Sequence, residues 1–133
     1  MYEYKCKIVK VVDGDTVDVD ISLGFDVWLS NKRIWLYGID TPESRTSDLE
    51  EKKYGILASN FVKEHLPIGS KQTLVTIIDK KEKFGRILGQ FKLNDGTILN
   101  ELLVEKHLAV KYYGQSKDDI KQEYLNNRIK LKL

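Results

Sequence analysis

From Tyr4 to Ile21 the chain alternates apolar and polar positions with a period of two. Tyr4, Cys6 and Ile8 are separated by Lys5 and Lys7, and Val17, Val19 and Ile21 by Asp18 and Asp20. A period of two sends alternate side chains to one face of a strand, so the pattern predicts two half-buried strands. Asp13-Gly14 breaks them, a turn pair whose glycine supplies a positive φ. "RIWLYGI", residues 33–39, predicts a third strand that is apolar on both faces. The preceding "LGFDVWLSNK" extends the hairpin or packs over the sheet, and Trp28 within it is expected to cover core.

The period then changes. Ser47 is a candidate N-cap with Glu50 three residues on, a capping-box spacing. Tyr54, Leu57, Ala58, Phe61, Val62 and His65 form an inner stripe at helical spacing, and Pro67-Ile68-Gly69 ends the helix. "KQTLVTIID" and "RILGQFKL" predict two more strands, Asp95-Gly96 a turn, and "TILNELLVEKHL" a short helix. A last helix starts near Ser116 with Asp118 and Asp119 at its positive end and a stripe of Ile120, Tyr124, Leu125 and Ile129. The expected class is α+β: a five-stranded OB-type β-barrel with three α-helices, built as a single domain over residues 1–133.

Composition changes this picture little. Apolar residues make up 41% and charged residues 32%, with a formal net charge of +2, ordinary values for a globular domain. The distribution is less even: the first 26 residues carry six acids against three lysines, and residues 111–133 six bases against three acids. Cys6 is the single cysteine, so no internal disulfide forms, and it is expected in the core. No apolar run is long enough for a membrane span. "MYEYKCKIVK" lacks the order of a signal peptide, so the chain as it stands reads as cytoplasmic, with a mature secreted form the alternative. His65 and His107 sit at helix ends and read as capping or packing groups.

The candidate chemistry lies in three short stretches. "DGDT" places Asp15 directly after a turn pair that already has its carboxylate, Asp13. "GIDTPESRT" follows the third strand with Asp40, Glu43 and Arg45 close together. Each stretch read alone is a turn. Together, Asp15 and Asp40 at strand ends can meet across a closed sheet, with the Thr41 carbonyl as a third oxygen. Hard divalent cations take such oxygen ligands, and two carboxylates forced close without one would repel. Glu43 is then placed to hold a water as general base. Arg86, in "EKFGRILG", opens a strand after a glycine turn and supplies a planar, always-charged group suited to phosphate.

"VVDGDTV", "GIDTPES", "KKYGILAS", "KFGR" and "NELLVEKHLA" occur in the order and approximate spacing of the staphylococcal nuclease (thermonuclease) family, which the chain resembles over most of its length. The resemblance implies an OB-barrel, calcium-dependent phosphodiesterase that cleaves DNA and RNA to products ending in 3′-phosphates; the expected substrate is single-stranded or frayed and the expected state a monomer. By position it implies Asp15, Asp40 and the Thr41 carbonyl as calcium ligands, Asp13 as a nearby outer carboxylate, Glu43 as the water-activating group and Arg86 as a phosphate-binding arginine. Lys83 matches a phosphate-neighbouring lysine, and Tyr112 and Tyr113 fall near nucleotide-contacting tyrosines.

The chain departs from the family at one position. The family pattern has an arginine five residues before the Asp of "GIDTPE", where this chain has Trp35. Arg33 on the same strand face, and Arg45 after the motif, are the candidates to supply that charge. An arginine on the reacting phosphate contributes ~10³–10⁵ in rate in comparable phosphoryl-transfer enzymes. Two functional readings follow: a calcium-dependent nuclease, or a nucleic-acid-binding module of the same fold with weak or no catalysis, in which Trp35 stacks on a base. A structural barrel whose aspartates only form turns is the third.

Overall fold

A computed structural model describes residues 2–79, 82 and 84–131. Five strands close into a barrel: β1 (Tyr2–Asp13), β2 (Thr16–Ser22), β3 (Trp28–Leu36), β5 (Lys71–Ile77) and β6 (Ile87–Lys92), in the order β1-β2-β3-β6-β5 with β5 returning to β1. The barrel pairings are antiparallel except that of β3 with β6, which run parallel from Ile34–Ile87 to Leu36–Gly89. The two-residue strands β4 (Ile39–Asp40) and β7 (Val110–Lys111) form a separate ladder. Three helices, α1 (Leu49–His65), α2 (Leu99–Glu105) and α3 (Lys117–Leu131), complete the described elements. This is the expected α+β, OB-type architecture.

The period-two pattern does what it predicts. Cys6, Ile8, Val17, Val19 and Ile21 line the barrel interior with Ile34, Leu36, Leu74 and Phe91. Ala58 and Val62 of α1 and Leu99 and Leu103 of α2 close it. Burial pushes the Cys6 thiol up to about 12, so it acts as a small apolar group.

The differences from expectation lie at element ends. Asp48, not Ser47, caps α1: its carboxylate accepts from the Glu50 and Glu51 amides at 3.1 and 3.2 Å. The third strand begins five residues earlier than the apolar run suggested, because Trp28 and Leu29 pair with Ser22 and Ile21 and lengthen the hairpin. Trp28 therefore sits at the hairpin's far end, 47% exposed, rather than over the core. The strand also stops earlier, since Gly38 takes φ +79° and separates β4 from β3. On α3, Leu125 and Ile129 face solvent, and the helix is seated instead by Ile120, Tyr124, Asn127, Arg128 and Leu131. The polar side chains on that inner face made hydropathy alone misjudge it.

Candidate functional site

Asp15 and Asp40 come from separate segments and meet at one end of the barrel. The hairpin between β1 and β2 turns in two residues, Gly14-Asp15, with Asp13 paired to Thr16. Gly14 has no positive φ, contrary to expectation. A Cβ there would stand 2.9 Å from Thr41 Oγ1 and 3.0 Å from the Ala58 Cβ, so its value is close approach. That contact presses the "DGDT" turn against Thr41. The Asp13 carboxylate accepts from the Gly14 amide at 2.9 Å, and the Asp15 carbonyl from the Leu36 amide at 2.8 Å. On the other side, β4 pairs Asp40 with Val110, which fixes the Asp40 backbone.

The two carboxylates line the same groove, and the charge of Asp40 acts on Asp15. Burial first, then the charge of Asp40, push the Asp15 carboxyl up to about 7, partly offset by the Thr16 hydroxyl, which donates at 3.0 Å. A proton or a cation relieves that repulsion. The donor chemistry would suit a hard divalent cation, since Asp15 and Asp40 offer carboxylate oxygens and Thr41 follows with a backbone carbonyl. Among the described residues no group of three or more His, Cys, Asp or Glu side chains converges on a metal position, so water and ligand oxygens would complete the shell. The Tyr124 hydroxyl of α3 donates to Asp40 Oδ2 at 2.6 Å, and burial and the Asp40 charge push that phenol far above its ordinary pKa.

Beside this pair opens a groove of about 530 Å³, lined by Asp15, Trp35, Asp40, Glu82, Arg86 and Tyr113 among others. Tyr112 also lines it, and the Tyr112 amide donates to the Gly38 carbonyl at 2.8 Å. The Tyr113 ring meets Tyr37 edge-on at 5.9 Å. Arg86 lies over the Trp35 ring, 5.7 Å from its centroid, and is gripped by Glu82 at 3.0 to 3.2 Å.

The other candidates stand apart. Arg33 shares the outer face of β3 with Trp35, but its guanidinium is bound to Asp18 at 2.9 and 3.2 Å and does not line the groove. Glu43 and Arg45 are exposed on the loop beyond Thr41 and do not line it either. Glu43 lies near Glu51, whose pKa is raised by burial and then by the Glu43 charge. Lys83 lies outside the described residues.

Three residues of this end of the fold have no separate sequence signal. Tyr124 reads as one member of an apolar stripe, and its hydroxyl is the sole hint of a polar task. Glu82 stands four residues before Arg86, a spacing that hints at pairing only if the segment turns. Asn100 is buried at 2% exposure and donates to the carbonyls of Tyr37 at 2.9 Å and Gly89 at 3.1 Å, tying α2 to the strand end that forms the groove.

A family profile described as staphylococcal nuclease homologue matches residues 33–131, most of the chain. The chain belongs to this family. Among its relatives is a thermonuclease of Staphylococcus intermedius, 34% identical over 106 residues, a span covering 80% of this chain and 59% of that protein. A thermonuclease of Staphylococcus hyicus is 36% identical over 114 residues, covering 84% of this chain and 62% of the relative. The endonuclease YhcR of Bacillus subtilis is 29% identical over 116 residues, which is 84% of this chain but 9% of that much longer protein. The chain thus spans less than two thirds of the length of these relatives. As a member of the staphylococcal nuclease family it carries Trp35 where the family resemblance leads one to expect arginine. No helix among the described residues is long and apolar enough to cross a membrane.

Proposed function

We propose that this chain is a nuclease domain that hydrolyses phosphodiester bonds of DNA and RNA with the help of calcium. The observation that carries the reading is one groove lined by the Asp15–Asp40 pair, Arg86 and the two tyrosines. Asp15, Asp40 and the Thr41 carbonyl would hold the cation. When bound, calcium supplies Lewis-acid polarisation of the phosphate and offsets the carboxylates' mutual repulsion.

The chain's own residues account for the rest. Glu43, two residues beyond Thr41 on the exposed loop outside the groove lining, would position the attacking water and accept its proton once substrate and cation are bound. Arg86 exchanges Glu82 for the phosphate oxygens, a planar fork meeting negative charge as it develops. Lys83 adds charge along the backbone. Water oxygen bonds to phosphorus, the bond to the 5′ oxygen breaks, and that oxygen leaves as a hydroxyl by taking a proton from solvent water, with the phosphate on the 3′ end. Tyr112 and Tyr113 offer rings to bases, which requires bases free to unstack and so favours single-stranded or frayed substrate. The domain acts as a monomer.

A second reading is favoured by a specific observation: Trp35 stands in the groove and Arg86 is stacked on it and paired with Glu82. On that reading the domain binds nucleic acid and cuts weakly or not at all. Labelled single-stranded DNA and RNA, incubated with calcium or with chelator, separate the two. Calcium-dependent cutting that Glu43→Gln reduces by ~10²–10⁴ supports the nuclease. Binding without cutting, with cutting gained in Trp35→Arg, supports the binding module.

A further inference from the structure

We propose that Tyr124 is a positioning residue for the carboxylate of Asp40, and through it for the cation that Asp15 and Asp40 hold. The inference rests on Asp40 being a cation ligand, as proposed above, and adds a residue from a helix 84 positions away in sequence. β4 fixes the Asp40 backbone through its ladder with β7, but a ladder leaves the carboxylate free to rotate about its own side-chain bonds. The Tyr124 hydroxyl removes that freedom. Its 2.6 Å bond to Oδ2 has the length of a hydroxyl donating to an ionised carboxylate. Oδ1 is left clear of that bond, on a carboxylate that lines the same groove as Asp15.

Packing alone does not explain the hydroxyl. A phenylalanine would fill the same space on the inner face of α3 without burying a polar atom. The helix is held by other contacts: Ile120 is buried, Asn127 donates to the Ala109 carbonyl at 3.4 Å, and Arg128 lies 5.2 Å from the Tyr54 ring centroid. Partners that orient metal-binding side chains typically change metal affinity by about 10- to 100-fold when removed.

The test is a calcium titration of the complete chain, followed by amide NMR shifts without nucleic acid, beside thermal melting in chelator. Wild type, Tyr124→Phe and Asn127→Ala are compared. The expected result is calcium affinity about 10-fold weaker in Tyr124→Phe, a cooperative melt in chelator, and near wild-type affinity in Asn127→Ala. Wild-type affinity in Tyr124→Phe overturns the proposal, with the cation site itself intact. A non-cooperative melt of Tyr124→Phe in chelator, or Asn127→Ala weakening calcium as much, overturns it in favour of simple helix docking. A wild-type chain that binds no calcium overturns both this inference and the assignment of Asp40 as a ligand.

Discussion

Arg86 lies over the ring of Trp35 at 5.7 Å, and Glu82 holds the same guanidinium at 3.0 Å. The groove's arginine is thus stacked and paired before any phosphate arrives. Partly exposed ion pairs are worth about 0–1 kcal/mol, so a phosphate that takes the same planar fork with more charge can displace Glu82. Trp35 cannot be displaced in this way. On the proposed nuclease reading, it occupies the strand position at which the family resemblance implies a second phosphate-binding arginine.

Trp35→Arg is therefore expected to raise turnover. An arginine acting on a transferring phosphoryl group contributes up to ~10³–10⁵, and a gain of at least about tenfold is expected here because the groove is already lined with the other groups. The measurement is kcat on labelled single-stranded DNA at saturating calcium. An unchanged or lower kcat would show that Trp35 belongs to a site rebuilt around it.

The loop carrying Glu43 is set by a glycine on the facing helix. A Cβ at Gly55 would collide with the Glu43 carbonyl. Gly55→Ala is expected to destabilise the fold by about 1–3 kcal/mol, as overpacking does, although alanine is the better helix former. Urea unfolding gives the sign. Stabilisation would mean that the loop moves aside without cost.

Asn100 offers a test of the strand end behind the groove. Its amide donates to two backbone carbonyls, and its oxygen accepts from the Phe91 amide at 3.4 Å. Asn100→Ala leaves buried polar groups unpaired, at about 1–3 kcal/mol for each group so stranded. Asn100→Asp keeps the shape but turns the donor into an acceptor facing carbonyls, so at neutral pH it is expected to cost more than alanine. Equal losses, measured by urea unfolding, would show that the hydrogen bonds contribute little.

The Asp15 carboxyl gives the pH dependence its sign. Its folded pKa of about 7 lies above the ordinary value of 3.8, so between these values the folded chain binds more protons than the unfolded one. In chelator, its contribution to stability is full below pH 3.8 and is lost as pH rises toward 7. A tenfold difference in proton affinity between the two states corresponds to about 1.4 kcal/mol. Asp15→Asn should flatten that decline and be more stable than wild type near pH 7. A wild-type curve parallel to that of Asp15→Asn would show that neither burial nor the Asp40 charge raises the Asp15 carboxyl in the folded chain.

The barrel was legible because a strand's face is written in its own residues. Tyr4 to Ile8 and Val17 to Ile21 state which side chains turn inward, whatever packs on them. "DGDT" and "GIDTPE" were legible because two carboxylates beyond what a turn requires are a chemical excess. Element ends were less so. The hairpin grew back to Trp28 because cross-strand pairing, not hydropathy, sets strand length. The N-cap moved from Ser47 to Asp48 because the capping side chain must aim at the free amides of the first turn.

The sequence by itself determined the fold class and pointed to the segments proposed to carry the chemistry, with Trp35 where the family resemblance implies arginine. Only the tertiary structure decided that Arg33 is bound to Asp18 and that Tyr124 reaches Asp40. The physical reason lies in reach. Periodicity and turn chemistry act over a few residues and fix which way a side chain points from its own element. The partner of a charged or polar group is chosen by whichever donor or acceptor the closed barrel and its helices bring within about 3 Å, and that choice is made between segments that share no local pattern.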